Sequence, residues 1–530
     1  MRGHRAAIPL AAVVVIALAL RMVGIDFGLP MLDHPDEPLL VSRADVMART
    51  NDFNPHFFHY PSFLIYTLMV LFKFEYFLES LGVLDVSRST LYLSSRVLVA
   101  VLGTAMILIV YLIGCKLYGK KIGILSAVFL AVMPMAVRDS HYATVDVPMT
   151  FLTTVAFFFI VSLAKSGRLR HGLIAGAFVG LAASTKQSGG LLLLPLFTAF
   201  VLAHVYHDPR LANLRSSSLA IARGFVCSSA AAVLLFVVTS PFAVLDHQTF
   251  LNDLRFEMDH MATGHGVVFL GTAPGWIHHA TDSLRSALTP YLEVASLLGV
   301  VSLVAVGAYR LLAPNWRNHR QEVAAAFLLL SWILPYYLII GSWEVKFERY
   351  VIPLLPFLAI TASYAVVRSS ELLRGPLARL CPTPGGAASV VLCIIIATAL
   401  VVPPLQSSWR VSGDLAKETT QQVALDWIQE NIPEGSLIVR EMYTPETELL
   451  GEYETAYYGY RLASADMSEI EKADYVIISS TMYGRFYAHP EQAAEEIQCY
   501  DTLAEAFTLE KVICSSETVV GPELRIYRVR

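Results

Sequence analysis

Residues 91–115 read LYLSSRVLVAVLGTAMILIVYLIGC, an apolar run of 25 residues whose single charged side chain is Arg96. A helix needs about 20 such residues to cross the roughly 30 Å hydrocarbon core of a bilayer. Similar runs recur along the 530 residues of the chain, and charged clusters separate them. The ten-residue alternating pattern of a membrane barrel strand is not seen, so these runs predict membrane-spanning helices.

The composition agrees with this interpretation. Hydrophobic residues make up 55% of the chain and charged residues 16%, and the mean hydropathy is +0.55. These values lie outside the range of soluble globular proteins. The net charge of −5 shows no basic excess, which argues against a nucleic-acid-binding protein. We therefore expect an α-helical polytopic membrane protein that contacts membrane lipids and no nucleic acid.

Eleven apolar runs predict membrane crossings. They lie at residues 8–26, 91–115, 122–137, 147–164, 172–185, 189–206, 224–244, 291–310, 322–340, 350–367 and 387–403. One further run, residues 62–78, contains Lys73 and Glu75. Counting it as a crossing would place a basic loop on the outer side, so we interpret it as an interfacial or re-entrant helix.

Basic residues gather in alternate loops. They are Arg2, Arg5, Lys116, Lys120, Lys121, Lys165, Arg168, Arg170, Arg210, Arg215, Arg223, Arg310, Arg317, Arg320, Arg368, Arg374 and Arg379. Basic loops stay in the cytoplasm, so the N-terminus is predicted inside, in a cell (inner or plasma) membrane. After eleven crossings the chain end is extracytoplasmic.

The hydropathy falls sharply near Trp409, which predicts a transmembrane domain over residues 1–408 and a soluble α/β domain over residues 409–530. Thr419 or Thr420 can cap a helix, and apolar strands follow it. The second domain shows no catalytic motif. We expect it to act as a scaffold or to recognise an acceptor.

The six cysteines show no metal-ligand spacing. Cys499 and Cys514 share the predicted outer domain, where they form either a disulfide or two buried free thiols. The loop of residues 246–290 holds several histidines, His265 among them, in spacings that match no zinc pattern. A divalent metal is conceivable there but is not indicated, and neither a metal nor another cofactor is predicted.

Adjacent carboxylates follow the first crossing, in the sequence Leu32-Asp33-His34-Pro35-Asp36-Glu37-Pro38. A carboxylate beside hydrocarbon is costly unless it is used or paired, and desolvation raises its pKa toward the range of a general base. The alternative is a solvated loop with a proline-bounded turn.

Cations and an imidazole are found at other predicted outer helix ends. Residues 138–148 contain Arg138, His141 and Asp146, and Lys186 lies in a short outer turn. Lys346 and Arg349 precede the span at residues 350–367, on the predicted outer side. Basic residues are usually found on the cytoplasmic side, so their position there needs a reason. These residues either bind an anionic phosphate at the lipid surface or serve as helix-end anchors and structural ion pairs.

Several of these segments resemble one family. They are Asp36-Glu37, Tyr60-Pro61, residues 138–148, Thr185-Lys186, residues 346–356, Trp427-Ile428 and residues 432–435. They are similar to bacterial and archaeal relatives of the protein O-mannosyltransferases, which share the GT-C group with the aminoarabinose transferase of lipid A.

This resemblance implies a lipid-linked-sugar glycosyltransferase, either hexosyl- or pentosyltransferase. It implies Asp36 as the catalytic carboxylate with Glu37 beside it, and a polyprenyl-phosphate sugar as donor. Arg349, Lys346, Arg138, His141 and Lys186 would bind the donor phosphate. Asp146, Tyr60 and His265 are further candidate substrate contacts.

In that chemistry a carboxylate takes the proton of an acceptor hydroxyl, while cations stabilise the departing phosphate. The acceptor is a protein, a lipid or a glycan, and the resemblance implies inversion at the anomeric carbon. Two other functions remain: a transporter or flippase of lipid-linked sugars, and a glycan polymerase or ligase. Transporters place ionisable residues near the bilayer midplane, whereas here they gather at predicted outer helix ends.

The predicted topology can be tested with a reporter fused after Arg530. We expect periplasmic alkaline phosphatase activity and no cytoplasmic fluorescence, because an odd number of crossings from an inside N-terminus ends outside. The reverse pattern would mean that residues 62–78 cross the membrane or that another predicted crossing is wrong.

Overall fold

The computed structural model describes residues 4–207, 214–313, 319–373 and 387–530. It contains two compact units. The first comprises Met1–Met22, Leu39–Thr263 and Ala273–Ser412, and the second comprises Val23–Pro38, Gly264–Thr272 and Gly413–Arg530. The boundary predicted at residue 409 stays a prediction. Six residues used above lie outside the described ranges: Arg2, Arg210, Arg317, Arg374, Arg379 and Cys381.

The first unit is helical throughout the part that is described. Its helices α1 to α18 are His4–Met22, Glu37–Thr50, Phe63–Ser80, Arg88–Tyr118, Lys120–Ala131, Pro134–Arg138, Asp146–Ser166, Leu169–Thr185, Leu193–His207, Leu214–Thr239, Phe242–Leu245, His247–Thr263, Gly275–His278, Leu284–Leu288, Pro290–Leu312, Arg320–Gly341, Leu355–Leu372 and Ala387–Leu415. The first two residues of α2 and the last three of α18 belong to the second unit.

Within the described ranges, eight helices are long and apolar enough to cross a membrane, or nine if the bent pair Lys120–Val132 and Pro134–His141 is one span. The protein is therefore an integral membrane protein. The predicted runs at residues 8–26 and 172–185 also fold as helices, but those helices are shorter or less apolar than this criterion requires. Helix α3 carries Lys73, Glu75 and Glu79 and does not qualify as a span, and its interfacial position stays a prediction.

The segment after the fifth helix bends sharply and enters the interior of the first unit. The helix axis turns by 65° at the break before Pro134, where proline interrupts the helical hydrogen-bond ladder. Ser140 and His141 are fully buried, and Asp146 is 2% exposed. These residues are enclosed by protein and do not form a solvated loop.

Helices α8 and α10 pack with their backbones in close contact, and glycine makes this approach possible. A Cβ atom added at Gly176 would lie 2.0 Å from the carbonyl oxygen of Ser228, and one at Gly180 would lie 2.1 Å from that of Ala232. Small residues spaced four apart form one face of a helix and allow such contact between membrane helices.

Residues 246–290, predicted as a flexible loop, are largely helical. The segment contains α12, α13, α14 and a short π-helical stretch, His279–Ser283. Helix α12 reads HQTFLNDLRFEMDHMAT, which alternates charged and apolar residues. Its amphipathic pattern has low mean hydropathy, so a search for apolar runs misses it.

The second unit holds the strands and the remaining helices. The strands β1 to β7 are Glu418–Thr419, Leu437–Glu441, Glu454–Gly459, Tyr475–Ser479, Thr508–Ile513, Val519–Val520 and Leu524–Arg528, and helices α19 to α22 are Thr420–Asn431, Met467–Ile470, Ser480–Tyr487 and Ala494–Ala506. Thr419 and Gln422 form a reciprocal capping box at the start of α19, as the sequence predicted for Thr419. The α/β character predicted for this part of the chain is confirmed.

Five strands form a mixed sheet in the order β3-β2-β4-β7-β5. Strand β2 pairs in parallel with β3 and β4, while β7 is antiparallel to β4 and β5. Side chains alternate between the two faces of a strand, so Val476 packs into one apolar cluster and Ile477 into the other. The sheet is thus covered by apolar residues on both faces. Cys499 and Cys514 are free thiols.

The α8–α10 contact predicts a clear asymmetry between two glycine substitutions. Gly180→Ala forces a methyl group against the backbone of α10 and should cost about 1–3 kcal/mol of stability. Gly190→Ala is the matched control, because nothing lies within 4 Å of its added Cβ. Thermal unfolding of the detergent-solubilised protein should show a lower midpoint only for Gly180→Ala. Equal midpoints for both variants would contradict the close contact.

Candidate active site

Three side chains singled out by the sequence meet inside the first unit. Lys186 Nζ lies 2.6 Å from Asp146 Oδ1, and Arg349 Nε lies 3.9 Å from Asp146 Oδ2. Asp146 is the first residue of α7, where the positive end of the helix dipole favours a carboxylate. Asp146 thus brings the ammonium group of Lys186 and the guanidinium group of Arg349 close together, and both are groups that bind anions such as phosphate.

The backbone explains why these three residues converge. Lys186 directly follows α8 in an extended conformation, with φ −150° and ψ 134°, so the chain turns out of the helix at this residue. Arg349 lies in the 3-10 stretch Glu348–Leu354, which contains Pro353 and leads into α17. Helix α7 packs against both α8 and the 3-10 stretch. Asp146 at its N-terminus thus reaches both cations.

Arg138 lies in a second group of charges, where carboxylates neutralise it. Its Nε is 2.9 Å from Asp139 Oδ2, and its Nη1 is 3.1 Å from Glu348 Oε2. Ser286 Oγ also donates to Glu348 Oε2 at 3.3 Å. Two carboxylates thus share this guanidinium, which weakens its attraction for an added anion.

Lys346 and His141 are buried as well. Lys346 is 4% exposed, and its Nζ lies 3.8 Å from Glu344 Oε2. The His141 ring is fully buried, and its Nδ1–H donates to the carbonyl oxygen of Val137 at 2.9 Å. Both side chains are held by neighbouring protein groups, as expected for structural roles.

A cavity of about 460 Å³ lies beside Lys186 within the first unit. Its walls are mostly apolar, and the lining residues are His59, Tyr60, Lys186, Gln187, Ser188, Leu191, Leu254, Glu257, Met258, Met261, Ala262, Tyr336, Ile339, Ser342, Trp343 and Tyr350. Lys186 Nζ lies 5.0 Å from the ring centre of Tyr350 and 6.0 Å from that of Tyr60, within or at the range of cation–π attraction. The cavity combines a cationic end with apolar walls.

The wall of the cavity contains an ion pair that was not predicted from the sequence. His59 Nδ1 lies 2.7 Å from Glu257 Oε1, and the hydrogen bond to Glu257 raises the pKa of His59 above its ordinary value. The Phe58 N–H donates to Asp253 Oδ2 at 2.7 Å, one turn earlier on α12. Gln187 Nε2 donates to the carbonyl oxygen of His59 at 2.9 Å. The four-residue spacing of Asp253 and Glu257 on one helix face is the signal that could have indicated this contact.

Asp36, Glu37 and His265 belong to the second unit, described by itself. Glu37 is the first residue of α2 and is fully buried, whereas Asp36 is partly exposed. The Asp36 N–H donates to His34 Nδ1 at 3.2 Å, so this ring nitrogen carries a lone pair. The ring centre of His265 lies 6.3 Å from that of Tyr460. The predicted acidic pair thus divides into one buried and one accessible carboxylate.

Among the described residues, no three histidine, cysteine, aspartate or glutamate side chains are grouped so as to hold a metal ion. His265 and the other described histidines of residues 246–290 therefore do not form a metal cluster with these residue types.

A family model described as "Dolichyl-phosphate-mannose-protein mannosyltransferase" matches residues 89–236, somewhat more than a quarter of the chain. Known structures match over nearly the full length. The apo oligosaccharyltransferase of Archaeoglobus fulgidus superposes with a TM-score of 0.59 at 14% identity, over 96% of this chain and 73% of that chain.

ArnT of Cupriavidus metallidurans, solved with undecaprenyl phosphate bound, superposes with a TM-score of 0.54 at 15% identity, over 97% of both chains. These relatives are GT-C glycosyltransferases. The protein has the GT-C fold. No curated protein sequence matches the chain significantly.

The GT-C fold accounts for the organisation of this chain: a helical membrane unit with a strand-containing unit that includes the C-terminal residues. The same archaeal oligosaccharyltransferase, AglB, was also solved with an inhibitory peptide and a dolichol-phosphate, at a TM-score of 0.57 and 14% identity over 98% of this chain and 74% of that chain. At these identities the likeness establishes the fold.

Proposed function

We propose that the protein transfers a sugar from a polyprenyl-phosphate carrier to an acceptor hydroxyl, with inversion, on the extracytoplasmic side of the cell membrane. The observation that carries the proposal is the cavity beside Lys186. A polyprenyl phosphate has an anionic head and an apolar chain, and this cavity has a cation at one end and apolar walls. The GT-C fold and the mannosyltransferase family match support the same chemistry.

The donor phosphate is assigned to Lys186 and Arg349. Asp146 holds both cations in place, where they can stabilise the negative charge that develops on the phosphate as it leaves. Lys186 also lines the cavity, where the lipid chain would lie. Arg138, Lys346 and His141 are assigned supporting roles, because protein groups already hold them.

Asp36 is assigned as the general base. It is the accessible member of the acidic pair, and a base must reach the acceptor hydroxyl. The hydrogen bond from its N–H to His34 fixes the turn that precedes α2. Buried Glu37 begins α2, where its charge suits the helix N-terminus and anchors the turn. Glu37 is therefore a positioning residue.

If Asp36 is the general base, its substitution should reduce the amount of glycan product. Asp36→Asn keeps the shape of the side chain and removes the base, so product should fall at least 100-fold, since general bases contribute about 10²- to 10⁴-fold. Asp85→Asn, at an exposed position in the first unit, is the matched control. Mass spectrometry of envelope glycans and co-purified lipids, with and without each variant, measures the product.

Glu37→Gln should lower product less than Asp36→Asn does. Wild-type product levels with Asp36→Asn would reject Asp36 as the base. A lipid-linked sugar that is moved across the membrane unchanged, with no new glycan, would instead identify the protein as a flippase.

Donor binding predicts a loss of affinity when either cation is removed. Lys186→Gln and Arg349→Ala should each weaken binding of undecaprenyl phosphate about tenfold or more, because charge-assisted hydrogen bonds contribute about 1.5–3 kcal/mol and 1.4 kcal/mol equals one decade. Lys346→Ala should have a smaller effect. Exposed Lys121→Gln is the control. Unchanged affinity in both Lys186→Gln and Arg349→Ala would place the phosphate site elsewhere.

A further inference from the structure

The second unit brings two tyrosines and an arginine to one edge of its sheet. Tyr443 follows β2 by two residues, Tyr460 directly follows β3, and Arg485 lies on the helix α21 that follows β4. Strands β2, β3 and β4 are parallel neighbours, so all three residues lie beyond the carboxyl ends of their strands.

This edge is also a topological switch point. Strand β2 lies between β3 and β4. The chain therefore runs from β2 to β3 on one side of β2 and then crosses to β4 on its other side. In sheets with parallel strands, ligands bind outside the carboxyl ends at such a reversal. The position of the three residues therefore corresponds to a binding crevice.

Tyr443 has a backbone conformation that a bulky residue rarely adopts. Its φ is 64°, in the left-handed region, which costs about 1–3 kcal/mol for a residue other than glycine. The Gln421 side chain donates to the Tyr443 carbonyl oxygen at 3.4 Å, and the Tyr443 phenol lies near enough to Tyr460 to raise the pKa of Tyr460. The Tyr443 side chain therefore lies near that of Tyr460.

Tyr460 is the centre of the group. The Arg485 guanidinium lies 5.6 Å from its ring centre and the His265 ring 6.3 Å away, and 44% of Tyr460 is exposed. Burial, Tyr443 and the charge of Asp36 raise the pKa of Tyr460, which Arg485 lowers only in part. Tyr460 therefore keeps its proton and can donate a hydrogen bond, and Asp36 lies near enough to influence it.

Arg485 has donors available for a ligand. Its Nε donates to the Thr481 carbonyl oxygen at 3.0 Å, and none of the ion pairs found among the described residues involves Arg485. Glu441 is a neighbouring acid whose pKa burial raises to about 8, and its two carboxylate oxygens accept hydrogen bonds from the Ser479 N–H and the Tyr500 hydroxyl rather than from Arg485. The cation is partly exposed and lies beside the ring of Tyr460.

We propose that Tyr443, Tyr460 and Arg485 form the acceptor subsite, and that this subsite binds a hydroxyl-bearing acceptor with a negative charge, such as a carboxylated or phosphorylated sugar. The proposal rests on the transferase function proposed above. The exposed ring of Tyr460 offers a flat surface for a sugar, Arg485 offers paired donors for an anionic group, and Asp36 accepts the hydroxyl proton.

The direct test measures binding to the full-length protein in detergent by saturation-transfer NMR, with glucuronic acid, mannose 6-phosphate and mannose as probes. We expect the two charged sugars to bind at least tenfold more tightly than mannose. Arg485→Gln should abolish that preference, and Arg485→Lys should restore part of it. Tyr460→Ala should weaken all three probes. Arg461→Gln, an exposed arginine of the same unit, is the control.

The two charged probes separate a carboxylate-bearing from a phosphate-bearing acceptor, according to which one loses more affinity in Arg485→Gln. Binding of undecaprenyl phosphate should stay within twofold of the wild type in every variant, which shows that the variants are folded. Equal binding of charged and neutral sugars, or an unchanged preference in Arg485→Gln, would overturn the subsite.

Product measurements in cells separate the two proposals. If wild-type cells make product and Arg485→Gln cells make the same amount, the subsite is wrong and the transferase function stands. If wild-type cells make no product while charged sugars still bind through Arg485, the transferase function is wrong and the three residues form an anion site of another activity.

Discussion

The buried carboxylate of Asp146 is the interaction on which the first unit depends. A charge inside a membrane protein is expensive unless it is paired, and removal of one partner from a buried pair costs about 3–5 kcal/mol. Asp146 starts one helix, Lys186 ends another, and Arg349 lies before a third, so a single carboxylate fixes the relative positions of three segments. The same arrangement brings two cations together, so structural support and the proposed phosphate contacts involve the same three side chains.

Close helix packing complements this electrostatic constraint. Lipid competes poorly with a well-matched helix surface, so contacts between backbones, as at Gly176 and Gly180, replace the hydrophobic drive of soluble cores. The cavity beside Lys186 is an exception to this dense packing. An apolar space of this size, open to a cation, is the kind of feature that a binding site retains and that a purely structural bundle would fill.

Much of the fold follows from run length and charge alone. The predicted apolar runs are helical, because a hydrocarbon solvent leaves the backbone few alternatives, although the run at residues 122–137 is broken before Pro134. Helix α12 was missed, since its charges lower its hydropathy although they lie on faces that contact His59 and Phe58. The contact between Asp146 and Lys186, which are 40 positions apart, also could not be predicted from the sequence, because it depends on how helices α7 and α8 pack. Residue types indicated the chemistry, whereas three-dimensional packing brought Lys186 and Arg349 to Asp146 and placed Arg138 between Asp139 and Glu348.

The second unit is assembled from three distant stretches of the chain: Val23–Pro38, Gly264–Thr272 and Gly413–Arg530. The first of these leaves the ribosome almost four hundred residues before the last. Contacts between such remote segments form late, because a long loop must be closed before they give any stability. The loop that carries Asp36 is therefore synthesised long before residues 413–530. Its contacts with those residues form only after the intervening helices have been made. A chain that stalls before residue 413 would have an acidic loop without these neighbours.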